Sequence, residues 1–67
     1  MIYRMMLYDD CYIPSGDIAT DNQEDMIELL KHFELDRTVH MIEIFNKDKT
    51  ELLMQEVKRQ GEWYEIN

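Results

Sequence analysis

Residues 1–8, Met-Ile-Tyr-Arg-Met-Met-Leu-Tyr, run with almost no polar break. Strand alternation places Ile2, Met6 and Tyr8 on one face and Tyr3, Met5 and Leu7 on the other, so both faces are apolar apart from Arg4. Such a strand is buried on both sides or covered by a partner. Residues 9–20 read as a loop, because Asp9-Asp10 and Pro14-Ser15-Gly16-Asp17 are turn formers. Twelve residues is long for a connection in a small domain, which marks the segment as functional or mobile.

Residues 21–35 carry the clearest helical pattern. Met26, Leu29, Leu30 and Phe33 fall on one stripe, and Glu24, Asp25, Glu28 and Lys31 face elsewhere. Thr20 with Gln23, or Asp21 with Glu24, fits a capping box. Acids at the start and Lys31-His32 near the end suit the helix dipole.

Residues 38–45, Thr-Val-His-Met-Ile-Glu-Ile-Phe, are rich in β-branched and apolar side chains and predict a strand, followed by a polar turn over 46–49. Residues 50–58 fit two patterns. As a helix, Asp48 would cap, Glu51 would sit three later, and Gly61 would stop the chain. As a strand, they would be the second arm of a meander whose third arm is Glu62-Trp63-Tyr64-Glu65-Ile66. The meander is favoured, because strand 38–45 needs neighbours and a small sheet needs three strands. The predicted architecture is a single α+β domain over residues 1–67. Its order is β-α-β-β-β, with one helix packed on a mainly antiparallel sheet; the alternative makes residues 49–60 a second helix.

Composition adds a charge pattern. The 67 residues hold 15 acids and 7 bases, a net charge of −8, with 45% apolar residues. That apolar content excludes a disordered tail, and the shortage of clustered Lys and Arg argues against direct binding to nucleic-acid phosphates. Residues 1–36 hold nine acids and two bases, whereas residues 37–67 hold six acids and five bases. Between Asp9 and Glu28 there are seven acids and no base. An acidic lobe of this kind steers a basic partner, and Tyr8 and Tyr12 beside Asp9-Asp10 supply aromatic anchors. The candidate partner-binding residues are therefore Tyr8, Asp9, Asp10, Tyr12, Asp17, Asp21, Glu24, Asp25 and Glu28. The competing reading is a solvated acidic face that only keeps the chain soluble.

Candidate chemistry is sparse. Cys11 is the lone cysteine, so no intramolecular disulfide forms, and it reads as an ordinary small buried residue. His32 and His40 lie on different elements, and no zinc spacing, P-loop or dinucleotide glycine pattern is present. Asp9-Asp10 would need a third carboxylate and a basic residue to work as a metal-dependent phosphoryl-transfer site. No metal, cofactor or catalytic role is therefore expected. The methionines read mainly as core filling, and one of Trp63 and Tyr64 is expected to face inward. Arg4 and Asp9-Asp10 bound the apolar N-terminus, which is too short for a signal segment, so the expected compartment is cytoplasmic.

In size, acidity and lack of catalytic residues the chain resembles, in kind, the small inhibitors that phages direct against host enzymes: anti-CRISPR proteins, restriction inhibitors and other nucleic-acid mimics. That resemblance implies an inhibitor or regulator occupying the basic groove of a nucleic-acid-processing enzyme. The opening Met1-Ile2-Tyr3 and the element order also resemble a small accessory subunit of bacterial RNA polymerase, which implies contacts through the β surface instead. Strand 1–8 or strand 62–66 would lie at a sheet edge, so homodimerisation by edge pairing stays open.

Overall fold

The computed structural model describes residues 2–66. The apolar N-terminal segment forms β1 (Tyr3–Tyr8) and is followed by β2 (Pro14–Thr20) and helix α1 (Gln23–Glu34). A meander completes the chain: β3 (Met41–Asn46), β4 (Leu52–Arg59) and β5 (Glu62–Ile66). All five strands pair antiparallel in one sheet, ordered β2-β1-β3-β4-β5. The α+β class, with one helix on an antiparallel sheet, stands as expected.

The expected loop over 9–20 does not. Only residues 9–13 connect strands, and Pro14–Thr20 is an edge strand. Pairing requirements override local turn propensity here. The free side of β1 needs ladder partners, and Ile18 opposite Met5 extends the apolar layer. Pro14 sits at the first position of the edge strand, the place in a sheet where a missing N–H is tolerated. Gly16 lies opposite Leu7, and a Cβ there would stand 3.0 Å from Leu7 Cδ1, so the glycine leaves room for a core leucine. A second correction follows: β1 is second in the sheet and not at an edge, whereas β5 is at an edge as expected.

The helix begins two residues later than the Thr20 capping box and one later than the Asp21 box. Asn22 is the N-cap, accepting from Asp25 N–H at 2.8 Å, while its own amide donates to Asp25 Oδ2 at 3.2 Å. Residues 52–59 are strand, and the second-helix alternative falls away. The reason lies in the turns. Asn46 Oδ1 accepts from Thr50 N–H and Glu51 N–H at 3.0 and 3.1 Å and so ties the β3–β4 connection to itself. Gln60 and Gly61, with φ of 54° and 80°, are the two residues between the paired Arg59 and Glu62. Two successive positive φ angles make a type I′ turn, whose twist matches that of the flanking strands.

The helix covers one face of the sheet. Met5, Leu7, Val39, Ile42 and Ile44 are buried there, and Met26, Leu29, Leu30 and Phe33 pack onto them as the periodicity predicts. Trp63 also turns inward, and its Nε1–H donates to the carbonyl of Glu34 at 2.8 Å, latching the helix C-terminus to β5. Tyr64, its neighbour, is half exposed on the opposite face, as alternation requires. Among the described residues no helix is long and apolar enough to cross a membrane.

One charged residue lies inside this layer. Glu56 is 7% exposed and faces the helix from β4, and its Oε1 has no hydrogen-bond partner. Burial, then the neighbouring Glu34 carboxyl, then Glu65, push its pKa up to about 8. A carboxyl whose folded pKa lies above its unfolded value holds its proton in the folded state. The stability linked to it is full below the unfolded pKa, near 4.5, and is lost as pH rises through about 8. Urea unfolding of the native chain should therefore show a midpoint that falls between pH 5 and pH 9. Glu56→Gln should flatten that fall and unfold at higher urea than the native chain at pH 9. Equal slopes for the two proteins would contradict the assignment. In the same assay Ile42→Ala, at a site that is 0% exposed, should cost about 2–5 kcal/mol.

Candidate functional site

The acids between Asp9 and Glu28 do not form one loop lobe. They bracket the edge strand β2. Residues 9–13 form the tip of the β1–β2 hairpin, and Asp21, Glu24, Asp25 and Glu28 lie beyond the other end of β2, at and around the start of α1. A seven-residue strand separates the two groups by about 20 Å, at roughly 3.3 Å per residue.

The tip is ordered by its own first acid. Asp9 Oδ1 accepts from Cys11 N–H at 2.9 Å and Ile13 N–H at 3.0 Å, and Tyr12 N–H donates to Asp9 O at 3.0 Å. Tyr12 holds φ of 59° in this turn, and its side chain is half exposed. Asp10 and Cys11 are exposed as well, which corrects the expectation of a buried cysteine. A tight turn at a hairpin end has no core to bury a thiol in. Asp10, and then Asp9, push the Cys11 thiol pKa up, which keeps the sulfur protonated and a poor nucleophile. Asp9, Asp10 and Cys11 have donor atoms within 4.8 Å of one another, the one such trio among the described residues. Its Asp9 oxygen is already committed to two backbone N–H groups.

Asp17 behaves differently from the other acids. It lies on β2 and receives the Arg4 guanidinium, with Arg4 Nε to Asp17 Oδ1 at 3.1 Å, while Lys49 Nζ stands 3.7 Å from Oδ2. The Arg4 hydrogen bonds hold the Asp17 carboxyl below the usual range. Among the described residues it is the only one of these acids with a cation at ion-pair distance. Sequence reasoning did not assign this neutralisation, because Arg4 and Lys49 lie 13 and 32 positions away and only the sheet brings them together.

No family model, curated protein or solved structure matches the chain.

At the helix start, Asp25 is partly committed to Asn22 in the cap, while Asp21, Glu24 and Glu28 are exposed with side chains free of any hydrogen bond among the described residues. Beside them a shallow open groove runs between helix and edge strand, lined by Ala19, Thr20, Asp25, Glu28 and Leu29. The uncommitted carboxylates are thus Asp10 at one end and Asp21, Glu24 and Glu28 at the other. Tyr8 stands apart from both groups. Its hydroxyl donates to Glu43 on the sheet face away from the helix, a contact that pushes its pKa up to about 12.

The division between structural and uncommitted acids is measurable. Asp9→Ala should destabilise the chain by about 1–2 kcal/mol, because two backbone N–H groups lose their acceptor. Asp10→Ala should stay within about 0.5 kcal/mol of the native chain. Urea titrations of both variants check this, and equal losses would mean that the tip is not organised by Asp9.

Proposed function

We propose that the protein is a small acidic binding protein whose β2 edge and helix start occupy a basic, nucleic-acid-binding surface of an enzyme. The observation that carries this reading is the run of unpaired acids bracketing β2. Asp9, Asp10, Asp21, Glu24, Asp25 and Glu28 have no cation at ion-pair distance among the described residues. One strand of B-DNA presents a charge about every 3.4 Å, or about six over 20 Å. The protein edge carries a similar number over a similar length, bunched at two ends. Carboxylates in that position stand in for phosphates and pair with Arg and Lys. Tyr12 at the hairpin tip adds an exposed aromatic anchor.

The reading assigns no catalytic role to the chain and makes it an inhibitor or regulator of the phage nucleic-acid-mimic kind. Rigidity supports it: six of the acids sit on or directly beside paired strands and a capped helix, so little ordering entropy is lost on docking.

Tagged protein incubated with bacterial lysate should retain a nucleic-acid enzyme that added DNA or RNA displaces, as read by mass spectrometry. Retention should weaken at least tenfold as salt rises from about 50 to about 300 mM, since exposed charges are screened. The triple variant Asp10→Lys, Glu24→Lys, Glu28→Lys shifts the net charge from −8 to −2 and leaves Asp9, Asp17 and Asp25 in their structural roles. It should fold normally by circular dichroism and lose the partner. Undiminished binding by that variant, or a partner held equally well at high salt, would sink the proposal.

A further inference from the structure

The sheet face away from α1 has no covering element among the described residues. Strand register places Met6, Met41, Phe45, Tyr64 and Ile66 on it around a Val57 that its neighbours already bury, and none of these belongs to the core under the helix. Tyr64 and Ile66 are 50% and 40% exposed. Two of the acids on this face, Glu43 and Asp17, are already partnered within it. Glu43 accepts from the Tyr8 hydroxyl at Oε1 and from Gln55 Nε2 at Oε2, the latter at 2.9 Å. Asp17 is held by Arg4 and Lys49, and Arg59 lies directly opposite Glu62.

We propose that this face is where a second copy of the protein packs, sheet against sheet, in a two-fold dimer. Charge selects the occupant. The chain carries −8 in total, yet on this face Arg4, Lys49 and Arg59 offset Asp17, Glu43 and Glu62. It is the surface on which two such acidic molecules approach with the least repulsion. An isologous contact sets the same patch against itself, and a neutral patch tolerates that where the acidic edge does not. Because Glu43 and Asp17 keep their partners on burial, dehydrating the face leaves few polar groups unpaired.

Area sets the strength. Five strands about 4.8 Å apart and about six residues long at 3.3 Å each give roughly 500 Å² in projection. Specific interfaces bury about 600–1,000 Å² per partner. Side-chain relief brings this face to the lower end of that range, so the dimer is reversible and concentration-dependent. The two sheets would pack about 10 Å apart with a helix on each outer side. The acidic edges stay outside the contact, so this inference stands independently of the function proposed above.

Sedimentation of the native chain tests it. The mass should rise from 8.2 kDa toward twice that value with concentration. Association should strengthen with salt, because salt screens the −8 repulsion while leaving apolar burial intact. That sign is opposite to the one expected for the acidic edge on a basic partner, so the two readings fail separately. Tyr64→Arg and, as a second site, Ile66→Arg should each leave a folded monomer by circular dichroism, since both positions are already exposed. A chain that stays at 8.2 kDa up to about 1 mM at any salt concentration overturns the proposal. So does a dimer that survives both arginine variants, which would point to edge pairing instead.

Discussion

Strand β1 exchanges ladder hydrogen bonds along both sides, with β2 in one direction and β3 in the other. Met5 stands between Ile18 and Ile44, and Leu7 between Gly16 and Ile42, so the deepest side chains of the molecule meet across this one strand. The rest of the topology follows. Because β2 and β3 both run antiparallel to β1, they run parallel to each other, and the chain must cross the sheet to join them. Helix α1 is that crossing, and its apolar stripe roofs the row that β1 and β3 present. An unpaired side of β1 would leave a line of buried N–H and C=O groups without partners. That is why a segment as rich in turn formers as Pro14–Thr20 becomes a strand.

The same arrangement sorts charge by surface. The seven acids from Asp9 to Glu28, with no base between them, are threaded along the outer edge and the helix start. There the helix dipole favours Glu24 and Asp25. The open sheet face collects the cations that reach back from β1, the β3–β4 turn and β4. The layer beneath the helix favours Glu56 in its protonated form, because burial and the neighbouring Glu34 carboxyl disfavour the charge. A chain with a net charge of −8 thus has an acidic flank, a neutral face and a largely apolar interior. This separation puts two electrostatically unlike surfaces on one small domain.

Much of this was legible in the residues. The unbroken apolar run at 1–8, the stripe Met26, Leu29, Leu30 and Phe33, and the β-branched run at 38–45 each pointed to the element that forms there. The strand at 52–59 was legible through a tertiary argument, since residues 50–58 fit either a helix or a strand and only the need of strand 38–45 for neighbours decided between them. Strand β2 was not legible, because its identity comes from β1 and its residues carry opposite local preferences. The acidic run was plain from sequence, but its division was not. Which acids serve the backbone depends on turn geometry at Asp9 and cap geometry at Asn22, and which one is neutralised depends on a cross-strand meeting with Arg4. The apolar character of both faces of β1 was visible early, and the helix covers only one of them.

The pairing of β1 with β3 also sets how the chain finds its fold. The β1–β2 hairpin and the β3–β4–β5 meander each close through short turns, whereas the seam between them joins residues 33 to 43 positions apart, from Tyr8–Met41 to Tyr3–Asn46. Loop-closure entropy falls almost entirely on that seam. The topological cost of the fold is thus concentrated in one ladder, the one that joins an acidic half of the chain to a near-neutral half.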